Sequence, residues 1–498
     1  MRQSGKVKNL LPVLLIAISV IVLLLGIVLR SDAVLYGFFM FFGGLFILYL
    51  LFFNKRWFFF LIAFTIPLSI QLKIGGGSVI SFPSELMASL LAVYLLLRNL
   101  KGVRIERRLL FHPLTILLLT DILWMIVSSI FSSIPDFSFK RTFIRIIYIT
   151  VYFFLAAELL RNRKEMAGVF IILAAGMVYP VISSMIQHAA IGFGAHGSYQ
   201  MTLPFFADHT IYGAFLAMLT PVLIATAYNR KLFGFERKHR ILLWVLAAFI
   251  LLSLFLSYSR AAWLSVMLLA PLALLIRFKV RFYVLLIGLL TICAIVLLNF
   301  DRISDYAIRN DARSNSKEIS EHLQSVSNIQ TDASNKERIN RWKCAVRMFY
   351  DRPVFGFGPG TYQYNYGKYQ VRAEMTRIST FTGNRGHAHS EYMTYLSEEG
   401  LPGFLIFLAI VLFAVYTGMK LVYRAKEPAD RRMALAVLLS LVTFIIHGVF
   451  NAFLDIDKMA MPVFVCMAIL VRLDADRKRN AQILSGNNQI LSEAVTSK

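Results

Sequence analysis

Residues 383–405 read GNRGHAHSEYMTYLSEEGLPGFL, and the apolar run that opens at their end continues to Val422. Two histidines, an arginine and several acidic residues stand directly before it. Whether the run 401–422 is a membrane span decides the fold. As a helix rising about 1.5 Å per residue it is long enough to cross a hydrocarbon core of about 30 Å. The rest of the chain argues the same way: 58% of its 498 residues are hydrophobic and only 16% are charged, against roughly 25% charged in soluble domains. The sequence is that of an all-α polytopic membrane protein.

Outward from this stretch, the gaps between apolar runs alternate in charge. Asn54 to Arg56, Arg98 to Arg108, Arg161 to Glu165, Asn229 to Arg240, Arg277 to Arg281, Lys420 to Arg432 and the tail from Arg472 are basic. The intervening gaps, at Ser31 and Asp32, Gln71 to Phe82, Ser132 to Arg141, Gln187 to His209, Ser257 to Arg260 and Asp301 to Gly400, are nearly neutral. Cytoplasmic loops carry the excess of Lys and Arg, so both termini are expected in the cytoplasm and the 301–400 segment on the outer side. The spans are expected near 10–30, 33–53, 57–72, 81–98, 110–131, 142–160, 166–187, 208–228, 240–257, 261–277, 281–300, 401–422, 433–451 and 458–473. The run from Leu10 to Leu29, preceded by Lys6 and Lys8 and lacking a small-residue cleavage site, reads as a retained first helix. Four regions follow: 1–300 with helices one to eleven, a large outer loop domain 301–400, 401–475 with the last three helices, and a cytoplasmic tail 476–498.

The net charge of +24 would suggest nucleic acid in a soluble protein. Residues 301–400, however, hold 14 Lys and Arg against 12 Asp and Glu, so the excess belongs to the cytoplasmic face, where it sets topology and meets anionic lipid. Nucleic-acid binding is thereby disfavoured. Of the three cysteines, Cys293 and Cys466 fall in apolar segments and Cys344 stands alone, which excludes a disulfide framework and shows no cysteine-based metal site.

Within the outer loop, Ser314 to Ser334 is polar, a flexible or lightly helical excursion. Asn335 to Tyr350 places Ile339, Trp342, Ala345, Val346 and Phe349 at helical spacing, a short amphipathic helix near the membrane surface. Asp351 to Gly360, DRPVFGFGPG, is a turn-rich connector and lacks the GK[ST] of a phosphate loop. Arg260, in the turn SYSRAAW, lies where arginine is depleted; it is either a snorkelling anchor or an anion site. Arg338 and Arg341, with Arg347 and Arg352 behind them, form either a headgroup-binding face or part of the same site. His387 and His389 would diverge on a helix, and nothing in their spacing demands a metal. They read either as structural histidines or as an acid or base at the mouth of a membrane cavity.

The ordered motifs SRAAW, KERINRWKCAVRMFYDRPVFGFGPGTY and HAHSEYMTYLSEEGLPGFLIFL resemble the O-antigen ligase and polymerase superfamily of polytopic glycosyltransferases, most specifically over Leu251 to Phe407. The resemblance implies a GT-C-like fold of about 12–14 transmembrane helices in the bacterial inner membrane, with its active site facing the periplasm. It implies a glycan donor on undecaprenyl diphosphate, an acceptor on lipid A-core or another glycan, membrane lipid as surroundings, and no metal or other cofactor. The family's two arginines fall on Arg260 and Arg338, and its histidine on His389. His387 is an additional histidine, Ser390 stands where many relatives carry Asn, and Glu399 matches an acidic position.

The chemistry suits these residue types. Departure of a diphosphate develops negative charge on a phosphate oxygen, which arginine meets with a permanent charge and paired N–H donors. Arg260 and Arg338, helped by Arg341, would clamp it. A neutral histidine can take the proton of an acceptor hydroxyl, so His389 is the expected general base of an inverting transfer. Asp208 and His209 would line the acceptor side unless Asp208 only caps a helix. His447, Asn451 and Asp455 recur every four residues and are expected on one helix face turned to a cavity or a neighbouring helix. A secondary transporter would show repeated halves, and a lipid flippase would not need a histidine-bearing outer domain. Among enzymes, ligation to lipid A-core is preferred, with a surface-polysaccharide polymerase or a protein O-oligosaccharyltransferase as alternatives.

Overall fold

The computed structural model describes residues 32–74, 78–102, 105–193, 201–299, 321–376, 379 and 386–496. The expected first helix, the 301–320 part of the outer loop and residues 383–385 of the opening stretch lie outside the described residues. The chain divides into two compact units, 1–61 and 62–498. In the first, the helix Asp32–Phe53 runs 22 residues.

Eight helices among the described residues are long and apolar enough to cross a membrane: Pro113–Ile130, Pro135–Leu159, Arg163–Ala190, His209–Tyr228, Arg237–Leu256, Arg260–Arg277, Glu391–Arg424 and Pro428–Phe450. The polytopic α-helical class is thus the observed one. His209–Tyr228 is almost wholly buried and Pro428–Phe450 largely so, whereas Arg237–Leu256 and Arg260–Arg277 are mostly open. The outer helices turn Leu119, Leu123, Ile182, Ile186, Leu242 and Val245 outward, as a lipid-facing surface requires.

Local chemistry sets the helix ends. Asn162 and Glu165 form a reciprocal capping box at the start of Arg163–Ala190. Pro113 takes the first position of its helix, and the His112 ring accepts the Leu114 N–H at 3.2 Å. The expected span 57–72 is cut short: the helix Lys55–Thr65 ends, and Ile70–Ile74 pairs antiparallel with Ser78–Phe82, Ile70 opposite Phe82. The alternation in IQLKI and SVISF has the period of a strand, not of a helix. The carbonyls left behind at the turn are collected by the buried Lys458, whose Nζ donates to Ile66 O at 2.7 Å and to Ser69 O at 2.9 Å.

Ion pairs gather the basic segments at one end of the bundle. Arg98 pairs with Glu158, Arg163 with Asp430, Arg472 with Glu106, and Lys420 with Asp474. The opposite end is built from turns. Ser133 N–H donates to Phe357 O at 2.9 Å, Leu401 N–H to Pro353 O at 2.8 Å, and Glu391 N–H to Asn451 O at 3.2 Å.

The 34-residue helix Glu391–Arg424 is broken at Gly400, which has φ 69° and ψ −168°. The break sets a short buried segment, bearing Glu391, Glu398 and Glu399, at an angle to the membrane-crossing part that follows. A side chain at position 400 would have a left-handed backbone and would also meet the Val354 carbonyl and the Pro353 oxygen. Gly400→Ala is therefore expected to destabilise the detergent-solubilised protein by about 1–3 kcal/mol. A lowered thermal midpoint is the readout; an unchanged midpoint would show that the break is not locked.

Candidate active site

Ser390 opens the Glu391–Arg424 helix, its hydroxyl accepting the Met393 N–H at 3.4 Å. The residues before it are therefore off the helix, and His389 adopts the left-handed region at φ 50°. This overturns the expected divergence of the two histidines. Their rings meet at 4.4 Å between centroids and 67° between planes. The His389 N–H donates to His387 Nδ1 at 3.1 Å, which assigns the acceptor nitrogen of His387. The His389 carbonyl accepts from Trp342 Nε1 at 3.2 Å. Between the two, Ala388 is sealed in a cluster with Cys344, Ala345, Met348, Phe357, Tyr362 and Tyr366. The His389 ring nitrogen Nδ1 is buried and has no partner among the described residues.

The wall facing this pair is the helix Glu321–Asp351. The expected apolar face is only half-buried at Ile339, Trp342, Val346 and Phe349. The fully buried face instead carries Glu337, Asn340, Arg341, Cys344, Ala345 and Met348. Polar groups reach the interior because they satisfy one another. Arg341 Nε bonds Glu337 Oε1 at 2.9 Å, its Nη1 donates to the His387 carbonyl at 3.2 Å, and its guanidinium lies 4.8 Å over the Tyr366 ring. Gly386 lies so close that any side chain there would strike Arg341 Nη1. Arg341 is thus committed to holding the histidine segment. Arg338, three residues earlier and half-buried, places its charge within reach of His387, His389 and His447.

Burial first, and then the Arg341 guanidinium, press the His387 ring down to about 4, with Arg338 adding to the effect and Asp208 and Asp455 opposing it. His389 lies well below the ordinary histidine value through burial, His387, Arg341 and Arg338, opposed by Asp208. Both rings are neutral at physiological pH. Asp208 caps His209–Tyr228, Oδ1 accepting the Thr210 N–H at 2.6 Å, and lies 3.0 Å from His209 Nδ1. Burial acts to raise its pKa, but His209 and the Thr210 N–H hold it at about 2. Arg260 opens its helix at an exposed position. Ser259 beside it packs on Gly213, one turn along the helix that Asp208 caps.

Three buried glutamates knit the site together, and sequence reasoning found only one. Glu399 is buried, with its carbonyl taking the Trp124 Nε1–H at 2.9 Å. Glu398 accepts the N–H groups of Gly360 at 2.6 Å and Tyr362 at 2.8 Å. Glu391 accepts those of Phe453 and Leu454. The helix expected to carry His447, Asn451 and Asp455 on one face ends at Phe450, and Asn451 is extended at φ −153° and ψ 157°. The Glu391 N–H and carboxylate draw the 451–454 backbone out of the helix. Asp455 is thereby delivered to Arg145, with its Oδ1 2.8 Å from Nη2. Burial would raise the Asp455 pKa, yet Arg141 and Arg145 keep it below the usual carboxylate range. No three His, Cys, Asp or Glu side chains are grouped to hold a metal ion among the described residues.

Residues 245–408 match the family model described as O-antigen ligase, about a third of the chain. The match supports the resemblance of this segment to the O-antigen ligase and polymerase superfamily. The matched segment contains Arg260, Arg338, Arg341, His387, His389 and Glu399 and leaves Asp208 and His209 before it. No curated protein matches the chain. The match points to a glycosyltransferase-type enzyme of polysaccharide biosynthesis, working on a glycan donor and acceptor in a membrane.

Removing Arg341 strands Glu337, which is only 4% exposed. Arg341→Ala is expected to lower stability by about 3–5 kcal/mol, the cost of breaking a buried pair, and the double variant Arg341→Met with Glu337→Leu to recover most of it. Unfolding curves for the single and double variants decide this. Equal losses in both would mean that the pair itself is not what matters.

Proposed function

We propose that this chain is a metal-independent, inverting glycosyltransferase that moves a glycan from undecaprenyl diphosphate to an acceptor hydroxyl on the periplasmic side of the inner membrane. The observation that carries the proposal is His389: a neutral imidazole fixed through its own backbone, with one ring nitrogen buried and unpartnered among the described residues. That is the condition of a general base awaiting a hydroxyl proton. Arg338 supplies the charge for the diphosphate leaving group from the facing helix, and Arg260 joins it from the turn beside the Asp208 cap. Arg341 positions the histidine segment rather than the phosphate, since its donors are already engaged.

The reaction follows from these parts. The acceptor hydroxyl attacks the anomeric carbon opposite the diphosphate and gives its proton to His389, while the C–O bond to phosphate breaks and its electrons pass to the phosphate oxygen. Preorganised cations stabilise that oxygen most where water is excluded. The cationic surroundings that depress His389 are partly offset once a diphosphate arrives, because an anion favours the imidazolium that the transfer creates. Among acceptors we propose lipid A-core, which makes the reaction O-antigen ligation; polymerisation of surface-polysaccharide repeats shares every element of this site.

His389→Ala is expected to lower transfer at saturating donor by about 10²–10⁴-fold, the usual worth of a general base; full transfer would remove the assigned role. In a deletion strain, loss of ligation leaves long glycan on the polyprenyl carrier and none on lipid A. Lipid A carrying a single repeat would instead identify a polymerase.

The pH profile gives an independent reading. A base must be unprotonated, and His389 is held below its ordinary value by burial, His387, Arg341 and Arg338 against Asp208. The acid limb of kcat/KM should therefore lie below pH ~6.5, the unperturbed histidine value. Arg338→Met removes one of the depressing charges, so the limb should move to higher pH. A limb that moves down or stays in place contradicts the assignment.

A further inference from the structure

A cleft of about 270 Å³ lies on the same end of the bundle as the histidine pair and takes no part in the mechanism above. Its walls come from the strand pair through Gln71, from the helix Pro135–Leu159 through Phe137, Lys140 and Arg141, and from the short helix Tyr362–Asn365 through Gln363. Asp455 lies at its inner side and reaches His387 electrostatically. Phe453, two residues before Asp455, has its ring 6.3 Å from that of His387. The cleft therefore adjoins the histidine pair from its His387 side.

What its polar groups are doing separates them into two sets. The anionic ones are engaged: Glu85 accepts the Ser81 N–H at 2.8 Å and the Tyr148 hydroxyl at 2.6 Å, and Asp455 takes Arg145 at 2.8 Å with Arg141 at 3.6 Å. Two amides and one ammonium are not. Neither the Gln71 nor the Gln363 amide has a hydrogen-bond partner among the described residues, and the exposed Lys140 ammonium has no ion pair there. Beside them the Phe137 ring stands edge to face with Tyr364 at 5.1 Å. Two open amides suit the vicinal hydroxyls of a sugar, an aromatic wall suits its C–H face, and an unpaired ammonium suits a negative substituent.

We propose that this cleft binds an acidic sugar, carboxylated or phosphorylated, of the acceptor glycan, with Lys140 and Gln363 as the residues that select it. The assignment to the acceptor rests on the transferase reading above, because Asp455 sets the cleft beside His387, whose ring meets that of the base that would receive the acceptor's proton. A phospholipid headgroup would share the anion but not the ring of hydroxyls, and it makes no use of the two amides.

The test measures binding and turnover separately. Saturation-transfer NMR on the full-length protein in detergent uses a hexuronic acid, a hexose 6-phosphate, the matching neutral hexose, inorganic phosphate and phosphatidylglycerol as probes. The two acidic sugars are expected to give transfer signals that fall at least several-fold in Lys140→Ala and Gln363→Ala and return in Lys140→Arg. Equal signals from the neutral hexose, binding of inorganic phosphate alone or of phosphatidylglycerol in preference to the sugars, or variants that bind like the wild type would each overturn the proposal. In a transfer assay the same two variants should raise the acceptor KM about 10-fold while kcat and the donor KM stay put; a fall confined to kcat also contradicts it. Because the binding arm needs no turnover, and His389→Ala should leave it intact, a failure of the transferase reading is distinguishable from a failure of the cleft.

Discussion

The guanidinium of Arg341 is the contact on which the geometry of the candidate site depends. It is buried, and a buried charge is tolerable only when its donors are used. One goes to Glu337 on its own helix and another to the His387 carbonyl 46 residues away, while the plane of the group covers Tyr366. Satisfying that one charge therefore fixes the helix Glu321–Asp351, the 362–366 turn and the histidine segment relative to one another. The space it needs also explains Gly386, where any side chain would displace it. A positive group chosen for phosphate alone would have stayed accessible. Arg341 has instead become part of the frame, and Arg338, one turn earlier on the helix, is the one whose field reaches the three histidines.

The membrane-crossing helices are tied to this frame by carboxylates used as backbone acceptors. Glu391 and Glu398 lie on the short segment before the Gly400 break, two turns apart, and each takes two N–H groups from a remote turn. Turns near a membrane leave backbone donors that lipid cannot satisfy, and a carboxylate with two lone-pair-rich oxygens can take a pair of them at once. The same device ends the Pro428–Phe450 helix one residue before Asn451 and carries Asp455 inward to Arg145. Capping, helix termination and delivery of a charge are thus one interaction seen from three places.

Much of this was legible in sequence, for physical reasons that also mark where legibility stops. Apolar length and alternating loop charge are properties of single segments, so the helices His209–Tyr228 and Arg240–Leu256 begin and end within a residue or so of their expected positions. The strand pair at 70–82 was not legible, because the apolar run from Trp57 continues across Thr65 without a drop in hydrophobicity and only the shift from helical to twofold period marks the change. The extended Asn451 was hidden for a different reason: its cause is Glu391, sixty residues earlier in the chain. Among site residues, His389 and Arg338 could be singled out by type and place, whereas the engagement of Arg341, the roles of Glu391 and Glu398 and the Arg145 to Asp455 pair depend on partners that no local pattern names.

The convergence of His387 and His389 gives the proposed base its setting. Residues two apart can meet only if the chain between them leaves the helix, and here the left-handed His389 backbone lets its N–H reach back to the His387 ring. That bond costs His387 its role as a free base, since its Nδ1 is now an acceptor facing the backbone. It also places a neutral ring against His389, in a setting where two nearby arginines already oppose protonation. The pair is therefore asymmetric: one imidazole is spent on shape, and the other keeps a buried nitrogen open. The neutrality that shape confers on His389 is the property a hydroxyl acceptor of protons requires, so the backbone strain at a single residue and the proposed chemistry have the same origin.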